Sequence, residues 1–211
     1  MFKKTTALAA LAFVAFTALP AFAQQAAPAA PAAAAQRLRG TIDALNGNVL
    51  SITARDGSKI DVRLADNWAV QAVFAVKPDE IKDGDFVGAV ATKRADGVMV
   101  AQAIQVLDPA IRERAQGDTA WDLTPESLMI NADLAQVVKN NGGIFTVKLT
   151  HNKATYDLLI APNTPIQRYA PGEKSQVVKG AAVFINAQKQ PDGTYTATTV
   201  RAETNGVKPA V

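Results

Sequence analysis

A shift of 96 residues lays one half of this chain on the other. It superposes Gly84 on Gly180, Val87 on Val183, Ala91 on Ala187, Lys93 on Lys189, Asp96 on Asp192, Gly97 on Gly193 and Ala101 on Ala197. Seven identities thus fall in the eighteen positions from 84 to 101, against about one expected between unrelated segments. The apolar pattern obeys the same shift, which carries Ile60, Val62 and Leu64 onto Tyr156, Leu158 and Ile160. A shift of 95 carries Leu50 and Ile52 onto Phe145 and Val147, so the second half has one extra residue in its early turn. Two copies of one unit follow, at residues 37–107 and 128–204.

Each copy reads as short strands punctuated by turn residues. In the first, residues 49–54 and 59–64 alternate apolar and polar and are separated by Arg55-Asp56-Gly57-Ser58, a hairpin signal. Residues 86–93 and 98–106 make a second hairpin about Ala95-Asp96-Gly97, and the second copy repeats it about Pro191-Asp192-Gly193. The early loop of the second copy is Asn140-Asn141-Gly142-Gly143. Between the hairpins lies a further strand, 69–76 in one copy and 166–169 in the other, and then a turn ending in Lys82-Asp83-Gly84 or Val178-Lys179-Gly180. Five or six strands with one inward face hide their edges best by closing on themselves. The sequence therefore predicts an all-β protein of two tandem small OB-like β-barrels, each of five to six strands. An open sandwich is the alternative architecture.

The connector, 108–127, differs in composition. Pro109 stands at a helix-start position before Ala110-Ile111-Arg112-Glu113-Arg114, which predicts a short charged helix. Trp121 is the connector's one aromatic residue. It serves either as a hydrophobic peg between the barrels or as an anchor for a ligand or partner. Residues 205–211 form a C-terminal tail.

The amino terminus carries an address. Lys3 and Lys4 precede an apolar stretch from Ala7 to Leu19, and Ala21-Phe22-Ala23 has the small-x-small pattern of a signal-peptidase site. A hydrocarbon core needs about twenty apolar residues, and Pro20 interrupts this run earlier. Residues 1–23 are expected to be a signal peptide cleaved after Ala23, delivering the chain to the periplasm or outside the cell. Residues 24–36, QQAAPAAPAAAAQ, then form an Ala/Pro-rich tether. No later segment has membrane-spanning length, so no transmembrane segment is expected in the mature chain.

Charge and residue usage exclude several functions. The chain has 22 basic and 19 acidic residues; removing Lys3 and Lys4 leaves 20 against 19, a net of +1. So small an excess gives no single-signed field for nucleic acid or anionic lipid. There is no cysteine, and His151 is the single histidine. Thiolate and multi-histidine metal sites are therefore absent, and neither metal nor cofactor is expected. A serine nucleophile would have His151 as its sole imidazole base, and the nucleophile-elbow pattern is missing.

The remaining constellations are sparse. Asp79, Glu80, Asp83 and Asp85 cluster before a strand, but their spacing is not that of a calcium loop, and Lys77 and Lys82 lie among them. His151 falls in the turn Thr150-His151-Asn152-Lys153, without a second ligand nearby in sequence. Arg168, with Lys174, Lys179 and Lys189, makes a candidate basic face for an anionic ligand, partly neutralised by Asp157 and Glu173. Trp121, Arg168, Lys189 and its counterpart Lys93 are the candidate ligand or partner contacts. No residue is assigned a catalytic role.

The runs RGTIDALNGNVLSITARDGSKIDVRL, IKDGDFVGAVA, WDL, MINADL and VFINAQKQPDGTYTATTVR together resemble a family of exported bacterial proteins with tandem β domains of unknown function. The resemblance covers nearly the whole mature chain and implies a small barrel in each half, without an established activity. Members often carry the label metal ABC transporter permease, although a permease needs several membrane helices. The family pattern places histidines just before the tryptophan and near the end of the first unit. Here those stretches read Gln116-Gly117-Asp118-Thr119-Ala120 and Ile104-Gln105-Val106.

The expected function is that of a non-enzymatic binding or scaffolding module of the cell envelope, whose partner is an envelope protein, a polymer or a small ligand rather than nucleic acid. The alternatives are a carboxylate-dependent hydrolase acting on an envelope polymer and an accessory protein to a metal transport system.

Overall fold

Period-two alternation becomes β-structure along most of the chain in the computed structural model, which describes residues 35–139, 145–151 and 154–211. Strands β1 (Ala35–Asn46), β2 (Val49–Ala54) and β3 (Lys59–Ala75) run antiparallel in succession, and β4 (Phe86–Lys93) and β5 (Met99–Val106) form a hairpin. A 3-10 turn at Pro109–Ile111 and the single-turn helix α1 (Arg112–Ala115) lead into the short β6 (Gly117–Ala120). Asp108 caps that turn by accepting from the Ala110 N–H, with Pro109 at its first position, so the predicted short helix is present. A second antiparallel trio follows: β7 (Leu128–Lys139), β8 (Phe145–His151) and β9 (Ala154–Ile160). The chain then passes through β10 (Ile166–Gly172) to a last hairpin, β11 (Ala182–Lys189) and β12 (Tyr195–Ala202).

The all-β, barrel-forming architecture expected from the sequence is the one adopted, but the strands are shared between barrels differently. One closed circuit runs β1–β2–β3–β12–β11 and back to β1, with β3 and β12 parallel. It encloses Leu50, Ile52, Val62, Ile185 and Val200, all without solvent exposure. The other runs β7–β8–β9–β5–β4 and back to β7, with β9 and β5 parallel. Ile130, Leu149, Leu158 and Ile160 fill it. Each such side chain contributes about 1.5–3 kcal/mol by leaving water. The hairpin of each half thus completes the barrel begun by the other half. Residues 37–107 and 128–204 do not close separately, and the connector 108–127 lies within the second circuit, where β6 adds to β7.

The physical reason lies in β3. Residues 59–64 and 69–76 are expected as two strands, yet β3 continues as one strand of 17 residues, with a register shift against β12 between Leu64 and Ala69. A strand of that length is too long for one small barrel. Its first part pairs with β2 and its last part with β10, from Val70↔Gly172 to Ala75↔Gln167. β10 continues the sheet to β5 through Ile166↔Ile104 and Gln167↔Gln105. A four-strand sheet, β12–β3–β10–β5, therefore connects the two circuits.

The expected signal peptide and residues 24–34 of the tether lie outside the described residues, as does the loop at 140–144. Ala35 and Gln36 already belong to β1, opposite Gln188 and Ala187. Among the described residues no helix is long and apolar enough to cross a membrane.

Three turns are built alike. At Asp56-Gly57, Asp96-Gly97 and Asp192-Gly193 the aspartate carboxylate accepts the N–H two residues on, while glycine takes φ of 84°, 90° and 85°. Those angles are left-handed and favour glycine. A Cβ at Gly193 would meet no atom within 4 Å, so the penalty of a side chain there is conformational alone. Replacing Gly193 by valine is expected to destabilise the fold by about 1–2 kcal/mol, seen as a lower midpoint in urea; an unchanged midpoint would contradict the turn.

Candidate functional site

Strand register assembles one transverse row across β1, β11, β12 and β3, on the face turned away from the core of their circuit. Arg39 on β1 stands opposite Phe184 on β11, Phe184 opposite Arg201 on β12, and Arg201 opposite Gln71 on β3. Cross-strand neighbours of this kind interact directly. Phe184 points away from the barrel core, whose residues on β11 are Val183, Ile185 and Ala187, yet it is 1% exposed. The guanidinium groups of Arg39 and Arg201 cover it, each 4.9 Å from the ring centroid, as cation–π partners.

The two arginines are compensated differently. Arg39, 9% exposed, donates both terminal nitrogens to the Asp122 carboxylate at 3.1 and 2.9 Å. Arg37 lies 3.8 Å from the same carboxylate and stacks on Trp121, 3.6 Å from its centroid. Burial alone would raise the Asp122 carboxyl, but the bidentate bond to Arg39 and the charges of Arg39 and Arg37 outweigh it and hold the pKa below the ordinary value. Arg201 donates to Gln71 Oε1 at 3.0 Å and to the Val211 main-chain oxygen at 3.4 Å. Among the described residues no side-chain carboxylate lies within 4 Å of it. Burial lowers its pKa, which the Tyr169 hydroxyl partly opposes, and burial raises the pKa of Tyr169.

Arg201 and Tyr169 open on a cleft of about 420 Å³ that also reaches Trp121, Met129, Gln105 and Asn131. This volume lies within the usual range for small-ligand sites, about 300–1,000 Å³. The Trp121 indole N–H is buried without an acceptor. The side of Trp121 packs against Val90, Ala103, Met129 and Val211, so it is both a peg between elements and part of the cleft wall.

The other residues singled out by sequence do not gather here. Arg168 is exposed, opposite Phe74, in a separate hollow with Glu80. Its neighbours on β10, Gln167 and Tyr169, face the other side. Lys189 is exposed, with its ammonium 6.0 Å from the Tyr195 ring. Lys93 lines a third hollow with Asp96, Tyr156 and Asp157; there Asp96 is bonded to Arg94 and to the Val98 N–H. Lys174 stacks on Trp68.

The acidic cluster is absorbed by the backbone. Glu80 accepts from the Lys77 N–H, Asp85 from Lys82 and Asp83 from Val137. Among the described residues no group of three His, Cys, Asp or Glu side chains is placed to hold a metal ion. Arg201, Tyr169, Arg39 and Asp122 carry no recognisable signal in the sequence, since an outward polar residue on a strand is ordinarily solvated.

A pH dependence follows from Asp122. Its folded pKa is depressed, so its contribution is present above the unfolded value of about 3.9 and lost as pH falls through the folded one. Asp122→Asn should be less stable than wild type at pH 7 and should flatten the acid limb of Tm against pH below about pH 4. Parallel curves for the two proteins would contradict the assignment.

Comparison with protein-family models and with curated proteins finds no match to this chain. The functional reading therefore rests on the residues and their geometry.

Proposed function

We propose that this chain is an exported, non-enzymatic binding module of the cell envelope, periplasmic or secreted once the segment ending at Ala23 is removed. It engages an envelope protein, polymer or small ligand at the cleft of Trp121, Tyr169 and Arg201. The observation that carries this reading is Arg201, a half-buried guanidinium on a cleft whose partners among the described residues are the Gln71 amide oxygen and the Val211 main-chain oxygen, with no side-chain carboxylate beside it. A guanidinium has five N–H donors; one bond from Nε and one from a terminal nitrogen are made within the fold, and an anionic or carbonyl-rich ligand would take up remaining donors that face the cleft. The duplicated sequence, the tether and the resemblance to exported tandem β-domain proteins support the same reading: two copies of an OB-like unit that exchange hairpins and so create the connecting sheet. The hydrolase alternative would use Asp96 and Asp157, of which Asp96 already holds structural bonds.

The test is capture of chemically cross-linked envelope material by the wild-type protein and by Arg201→Gln, beside an assay for polymer hydrolysis. Specific material held by wild type and lost by a folded Arg201→Gln protein is expected. Equal capture by both, or hydrolysis abolished by Asp157→Asn, would overturn the reading.

A further inference from the structure

The last residues of the chain lie on the cleft in a way that resembles a bound peptide. Gln167 grips the main chain with both ends of its amide: Oε1 accepts the Ala210 N–H at 2.9 Å, and Nε2 donates to the Lys208 carbonyl at 2.6 Å. The Val211 main-chain oxygen accepts from the Tyr169 hydroxyl and from Arg201. The Val211 side chain, 1% exposed, enters an apolar slot of Val90, Ala103 and Met129. Main-chain groups are thus read by side chains on β10 and β12, while one pocket selects an apolar residue. This division of labour is how extended peptides are recognised: backbone bonds give affinity and side-chain pockets give specificity. Upstream, the segment leaves the sheet through a tight turn at Asn205 and Gly206, with φ of 50° and 80°. Beside Val211 the cleft continues toward Trp121 and Asn131.

We infer that this face is a site for an extended peptide of a partner protein, bearing a small branched apolar residue at the position of Val211, and that residues 208–211 are its occupant in cis. The inference rests on the binding role proposed above and names the partner's chemistry. The tail then acts as a tethered competitor, present at an effective concentration on the order of millimolar. A partner peptide must displace it, so recruitment is restrained until the partner is abundant or the tail is drawn away.

The probe is the peptide Val-Lys-Pro-Ala-Val, copying residues 207–211, acetylated at its amino end and with its terminal carboxylate free, titrated calorimetrically into full-length proteins. The double variant Ala210→Pro, Val211→Gly removes the N–H that Gln167 accepts and the side chain that fills the slot. It should bind the peptide about tenfold or more tightly than wild type does, and a peptide ending in glycine should not bind. Absence of binding by the folded double variant would overturn the inference. Amide exchange in the wild-type chain gives a second reading that does not depend on the variant. The Ala210 amide should exchange much faster than those of Ile185 and Val200 in the barrel, and equal protection would show a permanently seated tail and also overturn the inference. Self-association of wild type that is abolished by Gln167→Leu would make a second copy the occupant and overturn the assignment to a partner. Failure of the peptide together with Arg201-dependent capture of envelope material would remove the peptide assignment and leave the binding role standing.

Discussion

A fragment of residues 76–161 is expected to fold alone, whereas a fragment of residues 37–107, the first unit expected from the sequence, is expected to remain unfolded. The first contains all five strands of the circuit β7–β8–β9–β5–β4 in one uninterrupted stretch, with its own core of Ile130, Leu149, Leu158 and Ile160. The second contains β1–β2–β3 without the hairpin that closes them, and β4–β5 without the trio that they close. Closing it on itself would require β3 to break and the hairpin to fold back beside it. Small domains hold only about 5–15 kcal/mol in total, so losing a circuit's closure removes the folded state rather than weakening it. Far-ultraviolet circular dichroism with a urea titration distinguishes the fragments; a cooperative transition in 37–107 would contradict the strand assignment.

Phe184→Ala is expected to destabilise the full chain by about 3–5 kcal/mol, the range for removing a buried phenylalanine. Such a loss is a large fraction of the total. Phe184 belongs to the row beneath the cleft rather than to either barrel interior, so its removal leaves Arg39 and Arg201 without the ring between them. Phe184→Leu keeps apolar volume but loses the ring face, and its cost should be less than half that of Phe184→Ala. Urea midpoints for the three proteins check both expectations. A cost of Phe184→Ala below about 1 kcal/mol would show that the row is not a packed element.

The strands were legible because each half alternates apolar and polar residues between glycine turns, and Gly57, Gly97 and Gly193 take the left-handed angles that those turns imply. Which hairpin closes which barrel was not legible. Val87 and Val183, or Ala101 and Ala197, are the same residues in the two halves, so either hairpin satisfies either partner by pattern alone. Only the continuation of β3 past the register shift between Leu64 and Ala69 to Ala75 decides it, and no proline or glycine marks whether the strand ends there or runs on.

The cleft was legible at one point. Trp121 is marked as the lone aromatic residue of the connector, and it does line the cleft. Arg168 was marked by its charge, yet the residue that lines the cleft from β10 is its neighbour Tyr169, because adjacent strand residues point to opposite faces. Phe184 and Arg201 come from the two strands of the last hairpin, and Gln71 from β3, 130 residues before Arg201. Their meeting is a property of register, which a single strand's sequence does not encode.

The central claim is that hairpins are exchanged between the halves, because that exchange produces the sheet on which the cleft stands. Interstrand proton NOEs in the uniformly labelled full-length protein test it most directly. The account predicts NOEs linking Leu64 with Ala197, Val70 with Val200, and Met99 and Val100 with Leu158 and Leu159. NOEs linking Leu64 with Ala101 and Ile160 with Ala197, the contacts of two halves each closed on itself, would contradict it.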